Sequence, residues 1–206
     1  MTITEIKDIS AKKVVITLDN YYSFPLYDSE IKKRGFETGT DIPDEVIDDI
    51  KRDILFPTAL NRSLYLLKTK EYTKQEITQK LSKGYYPDDI VDGVLEELVK
   101  NKFIDDKRYA ENYISYHSGA KSRQVITSAL FLKGVEKDVI EESFDTFEQD
   151  NPGYELELCK TLLERKYSAQ KEDADFETIK KAEMFLARKG FSYATAGSAV
   201  KEFFDI

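Results

Sequence analysis

The sequence predicts a mainly α-helical protein, with tandem three-helix repeats in an elongated, curved arrangement that follow a small β-hairpin and helix module. The pair Lys-Gly occurs three times, ending at Gly84, Gly134 and Gly190. Each pair closes one apolar-periodic segment and precedes another, as expected where a helix stops at a left-handed residue. Apolar or small residues follow the glycines at matching offsets: Ile90, Ile140 and Ala196 six residues on, and Val94, Phe144 and Val200 ten residues on.

Residues 1–56 differ from the rest of the chain and are predicted to form the small N-terminal module. The segments 14–18 (VVITL) and 22–26 (YSFPL) are rich in β-branched and aromatic residues and are separated by a short turn, which predicts a β-hairpin. Pro25 cannot donate a ladder hydrogen bond, so the second strand is limited to a sheet edge. Because an isolated hairpin is only marginally stable, we expect it to pack on the neighbouring helices.

Two short helices complete this module. The first is predicted over 28–34 and ends at Gly35, since glycine readily takes the left-handed conformation at a helix end. The second starts near Pro43. Asp44 and Glu45 then fall in its first turn, where carboxylates interact favourably with the helix dipole.

The first three-helix repeat is predicted over residues 57–108. Thr73 and Glu76 have the spacing of a capping box, which opens the second helix of the repeat. The third helix opens at Pro87 and ends near Asn101. The apolar residues of the first and third helices recur at helical spacing. They are Leu60, Leu64 and Leu67, and then Ile90, Val91, Val94, Leu95 and Leu98.

The second and third repeats are predicted over 109–150 and 151–206. Asp105 is placed to cap the helix that joins the first two repeats, and Ser122 is placed to cap the next helix. The turn Asn151-Pro152-Gly153 separates the second repeat from the third. The predicted apolar positions are Val125, Ile126, Ala129, Leu130, Val139, Ile140, Phe144 and Phe147, and then Phe176, Ile179, Ala182, Phe185 and Leu186.

The charge balance limits what the chain can bind. The 206 residues include 31 basic and 39 acidic side chains, which gives a net charge of −8 and a pI near 4.9. This argues against a protein that coats DNA through a basic face. Residues 57–117 are balanced, with 10 basic and 10 acidic side chains, so a local basic face is compatible with this part. Solvated helix charges are the expected explanation of the same residues.

The chain offers few groups for catalysis or metal binding. It has one histidine, His117, and one cysteine, Cys159, and it has no P-loop or nucleophile-elbow pattern. Cys159 lies among leucines and is predicted to be a small buried apolar residue. No segment approaches the ~18 apolar residues of a membrane span, and the N-terminus has no signal-peptide core. We therefore predict a cytoplasmic protein that is not an enzyme and has no catalytic residues, cofactor or metal.

Three segments carry a specific resemblance to a known family. They are TKQEITQKLSKGY (73–85), FIDDKRYAENYI (103–114) and KSRQVITSALFLKGVEKDVIEES (121–143). These segments resemble the RecX family of RecA regulators, and the resemblance covers most of residues 57–150. The segment ARKGF (187–191) is a weaker match in the third repeat.

The resemblance implies a cytosolic modulator of the RecA recombinase filament, usually an inhibitor, that acts in DNA repair and recombination. The activities expected to be inhibited are the ATPase, strand-exchange and coprotease activities of RecA. The resemblance also implies a monomer that contacts RecA and, in addition, DNA. In this sequence Lys121, Arg123 and Lys133 are accompanied by four acidic residues within 136–142, so contact with RecA is expected first and DNA binding is expected to be weak. Two alternatives come from the helical repeats themselves: a DNA-binding helical protein, and a scaffold for another protein partner.

The candidates for partner binding are Arg108, Lys121, Arg123 and Lys133. Docking on a protein filament needs shape and a few matched charges, which these residues can supply. Two interpretations of Arg108 stay open: it pairs with a carboxylate of its own helix, or it points to a partner. Lys133 also lies at a helix C-terminus, where the dipole favours cations. Tyr109 and Tyr113 have the spacing of residues that stack on bases, but core packing is the expected role at this helical spacing.

Overall fold

The computed structural model describes residues 1–206 and contains three β-strands and eleven α-helices. They form two compact units, Met1–Asp105 and Asp106–Ile206. The predicted mainly α-helical fold, with tandem three-helix repeats after a small N-terminal β element, is confirmed. None of the helices combines the length and the apolar character that a membrane crossing requires.

The first unit contains the strands and five helices, and the second unit contains six helices. The strands are β1 (Ile3–Ser10), β2 (Lys13–Leu18) and β3 (Tyr22–Tyr27). The helices of the first unit are α1 (Asp28–Arg34), α2 (Asp44–Ile50), α3 (Phe56–Leu67), α4 (Lys74–Ser82) and α5 (Asp88–Lys100). The helices of the second unit are α6 (Asp106–His117), α7 (Arg123–Leu132), α8 (Lys137–Asp150), α9 (Tyr154–Tyr167), α10 (Phe176–Arg188) and α11 (Tyr193–Phe204). A π-helical segment, Lys51–Leu55, joins α2 directly to α3.

The predicted hairpin is present as the antiparallel pair β2 and β3. Asp19 (φ 48°) and Asn20 (φ 64°) both take the left-handed backbone at its turn. Their short polar side chains tolerate this conformation better than most. Pro25 lies on β3, opposite Val15 of β2. Strand β3 is at the edge of the sheet, as predicted because proline cannot donate a ladder hydrogen bond.

Strand β1 is not apparent from the sequence pattern. It pairs antiparallel with β2 and gives the sheet order β1-β2-β3. The register of this pair shifts between Ile3 and Glu5 and again between Asp8 and Ser10, as it does at β-bulges. The apolar residues of β1, Ile3, Ile6 and Ile9, recur at every third position instead of every second. The alternation that marks a strand is therefore missing from the sequence.

The sheet and the first three-helix repeat share one hydrophobic core, which confirms that the hairpin packs on neighbouring helices. Ile16 and Phe24 reach this core from the sheet, and Ile50, Ile77 and Leu98 reach it from the helices; all five are fully buried. Burial of such side chains contributes roughly 1.5–3 kcal/mol each. The N-terminal module is thus part of the first compact unit.

Most helix ends follow the predicted caps. Thr73 and Glu76 exchange the two hydrogen bonds of a capping box at the start of α4. At the start of α7, the amide of Val125 donates to the hydroxyl of Ser122. Gly35, with φ at 65°, ends α1. Each of these residues satisfies backbone groups that the terminal turn of a helix leaves unpaired.

The three Lys-Gly turns differ in their backbone. Gly134 (φ 80°) and Gly190 (φ 85°) are left-handed, as predicted. In the first repeat the prediction for Gly84 is wrong, because the left-handed residue is Tyr85 (φ 63°), one position later. A Cβ on Gly84 would lie 3.2 Å from the ring of Tyr86, so glycine serves close packing there. The first repeat is therefore shifted by one residue from the predicted alignment, although all six residues matched by offset are buried.

The second unit has one core for each of its repeats. The core of the second repeat consists of Ala110, Ile114, Ile126, Leu130, Val135, Ile140 and Phe144. The core of the third repeat includes Leu158, Leu163, Ala182, Leu186, Ala196, Val200 and Phe203. Two predicted apolar positions are exposed instead, Val125 at 39% and Phe176 at 80%. Both lie in the first turn of their helix, before the stripe that faces the core.

The single cysteine is buried in the core of the third repeat, as predicted. Burial, and to a smaller extent the charge of Glu155, raises the pKa of the Cys159 thiol to about 12. We expect the folded protein not to react with an aromatic disulfide reagent at about pH 8, where an exposed thiol reacts readily. Reaction should appear only when urea unfolds the chain. Fast release of the coloured thiolate from the folded protein, above a Cys159→Ala control, would contradict this burial.

Within the second unit, the second and third repeats meet at the N-terminus of α7. The hydroxyl of Ser122 donates to the backbone carbonyl of Lys189, 3.0 Å away. The amide of Arg123 donates to Oε1 of Glu155 on α9, 2.8 Å away. A Cβ on Gly190 would lie 2.8 Å from the Ser122 hydroxyl oxygen, so the two backbones are in close contact. We call these five residues the repeat 2–3 joint.

Candidate partner-binding surface

Helix α6 has three sides with different roles. One side is buried, since Ala110 and Ile114 are enclosed in the core of the second repeat. A second side meets α8, where the Lys107 ammonium donates to the carboxylate of Glu142 at 3.2 Å. The third side carries rings spaced four residues apart, which places them one above another on a helix. These rings belong to Tyr109, Tyr113 and His117.

The rings on this side of α6 form a row. Those of Tyr109 and Tyr113 are stacked, with centroids 6.2 Å apart and planes at 17°. The ring of His117 follows, 4.2 Å from that of Tyr113. Both tyrosines pack on the core of the second repeat and remain partly exposed. The predicted core packing therefore describes only part of each ring, and the rest of the ring is exposed at the surface.

Two of the predicted partner-binding lysines lie over this row. The ammonium of Lys121 is 6.0 Å from the ring centroid of Tyr113, and that of Lys133 is 5.7 Å from the centroid of Tyr109. The lysines flank α7, one before it and one after it, so the return of α7 along α6 places them at two points of the row. Such cation–π contacts contribute about 0.5–1 kcal/mol each at an exposed site.

Exposed apolar side chains lie on the same two helices and are not among the predicted residues. Phe131 (65% exposed) and Leu132 (82% exposed) close α7 just before Lys133, and Tyr116 (84% exposed) lies in the last turn of α6. Large apolar groups beside cations are typical of a surface that binds a protein. A signal for two of them was present in the sequence, since Phe131 and Leu132 fall outside the helical stripe that Leu130 marks.

Arg108 precedes Tyr109 on α6, and its side chain is exposed. The structure therefore places two of the four predicted residues, Lys121 and Lys133, over the rings of α6, and a third, Arg108, on α6 itself, within the region that α6 and α7 form. We call this region the α6–α7 surface. Its members are Arg108, Tyr109, Tyr113, His117, Lys121, Phe131, Leu132 and Lys133.

The fourth predicted residue, Arg123, is engaged within the chain. Its guanidinium donates to Oε1 of Glu148 at 2.5 Å and lies 4.6 Å from the ring centroid of Phe144. A second carboxylate, that of Asp145, is 4.0 Å away. Because its amide also binds Glu155, Arg123 is attached to both α8 and α9. This geometry gives Arg123 a structural role in the repeat 2–3 joint.

His117 does not add to the positive charge of the α6–α7 surface. Burial first, and then the nearby charge of Lys121, lowers the pKa of the His117 imidazole below its ordinary value. The ring is therefore neutral at physiological pH, and the positive charge comes from the lysines and Arg108. Aromatic rings, apolar side chains and cations on one surface suit the binding of a macromolecule.

Family models of three successive domains match the chain in order. The model of the first three-helix domain of RecX matches residues 59–98. The second three-helix domain of RecX matches residues 105–143, which include the α6–α7 surface. The third three-helix domain of RecX matches residues 153–200. The weak resemblance of the third repeat is thus supported by an independent match.

Relatives and solved structures agree with these matches. Regulatory protein RecX of Clostridium acetobutylicum is 29% identical over 99% of this chain and 97% of the relative. Regulatory protein RecX of Leuconostoc mesenteroides is 30% identical over 88% of this chain and 67% of the relative. A crystal structure of regulatory protein RecX has a TM-score of 0.64 at 25% identity and covers 99% of this chain and 98% of that chain. For the crystal structure of RecX from Lactobacillus salivarius the TM-score is 0.66 at 24% identity, over 73% of this chain and 97% of that chain, which supports the fold. With three domains matched in order and relatives matched along nearly its full length, the chain belongs to the RecX family of regulatory proteins.

Proposed function

We propose that this protein binds the RecA recombinase filament in the cytoplasm as a monomer and inhibits its ATPase, strand-exchange and coprotease activities. The observation that carries the proposal is the ordered match of all three RecX domains, which supports a regulatory role. The action proposed is binding without catalysis. It takes place during DNA repair and recombination, where the filament is assembled.

The proposed mechanism depends on the repeats acting together. Each three-helix repeat offers a small surface, and a weak contact by one repeat raises the effective concentration of the next at the filament. A chain held at successive RecA subunits blocks the addition of further subunits. It also restrains the subunit movements that ATP hydrolysis requires.

The α6–α7 surface is the contact that we propose for the second repeat. Lys121 and Lys133 supply charges that steer association, and Arg108 extends the charged region. Phe131 and Leu132 supply apolar area that a protein partner buries, which is where most binding energy is concentrated. A surface of this composition favours a protein over bare DNA, in agreement with the net charge of −8.

The test is the ATPase activity of RecA on single-stranded DNA while this protein is titrated into the reaction. We expect a dose-dependent fall in ATP hydrolysis and in strand exchange. Unchanged rates over a broad concentration range would sink the proposal. Salt-sensitive binding to bare DNA without any effect on RecA would favour a DNA-binding helical protein, and binding to neither would favour a scaffold for another partner.

The double variant Lys121→Glu, Lys133→Glu is expected to weaken filament inhibition about tenfold, because it reverses two charges and removes both ring contacts. A control variant, Lys137→Glu with Lys181→Glu, makes the same change in net charge at exposed lysines of α8 and α10. Circular dichroism of both variants checks that they fold. Equal loss in the two variants would show that overall charge matters and the α6–α7 surface does not.

A further inference from the structure

The turn between α4 and α5 is built differently from the equivalent turns of the other repeats. In each turn the residue after the left-handed position donates its amide to the carbonyl five residues back. These bonds are Tyr86 to Leu81, Val135 to Leu130 and Phe191 to Leu186. They identify the equivalent left-handed residues as Tyr85, Gly134 and Gly190. The first repeat thus has a tyrosine where the other two have glycine.

A tyrosine is an unfavourable choice for this position. The left-handed backbone brings Cβ too close to the following carbonyl oxygen, and bulky residues with positive φ are outliers that concentrate at functional sites. Tyr85 is also 46% exposed, so its ring does not repay the strain by filling the core. The strained turn presents an aromatic ring to the outside of the first unit.

Further tyrosines surround Tyr85 in an open cleft of about 510 Å³. The turn between β2 and β3 contributes Tyr21, which is 71% exposed, and the start of β3 contributes Tyr22. Tyr86 is buried and also lines the cleft. The N-terminus of α5 adds Asp88 and Asp89. We call this the tyrosine cleft.

The tyrosine cleft already holds one cation of the chain itself. The ammonium of Lys51 lies 5.0 Å from the ring centroid of Tyr22 and 2.8 Å from Oδ2 of Asp89. A ring and a neighbouring carboxylate together bind this lysine. Tyr85 and Asp88 lie beside this site and offer the same two groups, an aromatic ring and a carboxylate. Both side chains are exposed, and Asp88 forms no ion pair within the chain.

We propose that the tyrosine cleft receives an arginine side chain of the RecA filament, which stacks on Tyr85 and Tyr21 and pairs with Asp88. The proposal rests on the proposed function, since the filament supplies the side chain. A planar guanidinium can stack on an aromatic ring and bond a carboxylate at the same time. The carboxylates disfavour a nucleic acid, whose phosphates they would repel.

The main test is the variant Tyr85→Gly, measured for binding to RecA filaments on single-stranded DNA. Glycine takes the left-handed backbone without a Cβ penalty, so the fold should be retained, with an unfolding midpoint in urea no lower than that of the wild type. Affinity for the filament should nevertheless fall about tenfold, because the central ring is lost. If Tyr85 served folding alone, Tyr85→Gly would instead lower the unfolding midpoint and leave the affinity for the filament unchanged.

Two further variants accompany it. Asp88→Asn removes the carboxylate charge and should weaken filament binding severalfold. Tyr65→Ala removes a ring that is 70% exposed on α3, outside the cleft, and should leave the affinity unchanged. Wild-type affinity of Tyr85→Gly would overturn the cleft proposal and leave the proposed function standing. Loss of binding to bare single-stranded DNA, with filament affinity retained, would also overturn it in favour of a nucleic-acid site. Failure of the wild type to bind filaments would overturn both proposals.

Discussion

Replacement of Gly190 by alanine is expected to destabilise the second unit by about 2–3 kcal/mol. Gly190 has φ at 85°, where a residue with a Cβ costs roughly 1–2 kcal/mol. The new Cβ would also lie 2.8 Å from the Ser122 hydroxyl oxygen and 3.1 Å from Cγ2 of Val125. Ser122 cannot withdraw without losing its hydrogen bond to the carbonyl of Lys189. The free-energy costs of backbone strain and of a broken contact in the repeat 2–3 joint therefore add.

Urea unfolding monitored by circular dichroism measures this loss. The matched control is Gly197→Ala in α11, where an added Cβ meets nothing within 4 Å and the backbone is not left-handed. Alanine should stabilise that helix by roughly 0.5–1 kcal/mol, so the two substitutions are expected to have opposite signs. A wild-type unfolding midpoint for Gly190→Ala would contradict the close packing of the joint.

Reversal of charge at Arg123 is expected to destabilise the second unit by about 2–3 kcal/mol, between the values for exposed and buried ion pairs. The variant Arg123→Glu removes the guanidinium from the ring of Phe144 and from Glu148. It also places a carboxylate beside Glu148 and Asp145, which then repel it. The side chain of Arg123 is 34% exposed, so solvent screens this repulsion only in part.

The same unfolding measurement, repeated at high salt, tests the electrostatic origin of the loss. Part of the lost stability should return as salt screens the repulsion. Lys137→Glu is the control, because its partner Glu141 lies one helical turn away on an exposed surface and the pair contributes only about 0.3–0.5 kcal/mol. If Arg123→Glu kept wild-type stability but lost RecA inhibition, Arg123 would be a partner-binding residue, as its sequence context suggests.

Local chemistry made much of the fold predictable. The capping box of Thr73 and Glu76 involves residues three apart, and the end of α1 depends on Gly35 alone. Such signals can be found in a single sequence because all participating atoms are neighbours along the chain. The apolar stripes of α5 and α8 were predictable for the same reason, since helical periodicity depends only on local spacing.

The features that escaped prediction depend on contacts between distant residues or on irregular backbone. Strand β1 has an irregular register and lacks the alternation of apolar residues that marks a strand. The left-handed residue of the first Lys-Gly turn is Tyr85, although the sequence has a glycine, Gly84, one position earlier. Arg123 binds carboxylates that are 25 and 32 residues away in the chain, on Glu148 and Glu155. Periodicity cannot show which of many acidic residues will meet a given arginine in the folded unit.

The candidate surface was predictable in part. Lys121 and Lys133 belong to the segment that resembles the RecX family, and that resemblance made them predictable as partner-binding candidates. Their position over Tyr109 and Tyr113 follows from the return of α7 along α6, which no local pattern specifies. The exposure of Phe131 and Leu132 likewise depends on which side of α7 the packing leaves uncovered.

The core shared by the sheet and the first repeat has a consequence for the order of events during synthesis. The ribosome releases the strands first, while the helices of the first repeat, whose residues share this core, are still untranslated. Translation proceeds at about 5–20 residues per second, so several seconds pass between synthesis of the strands and synthesis of the last helix of this core. The core of the first unit joins its earliest residues to its latest ones, so it is complete only when α5 has been synthesised.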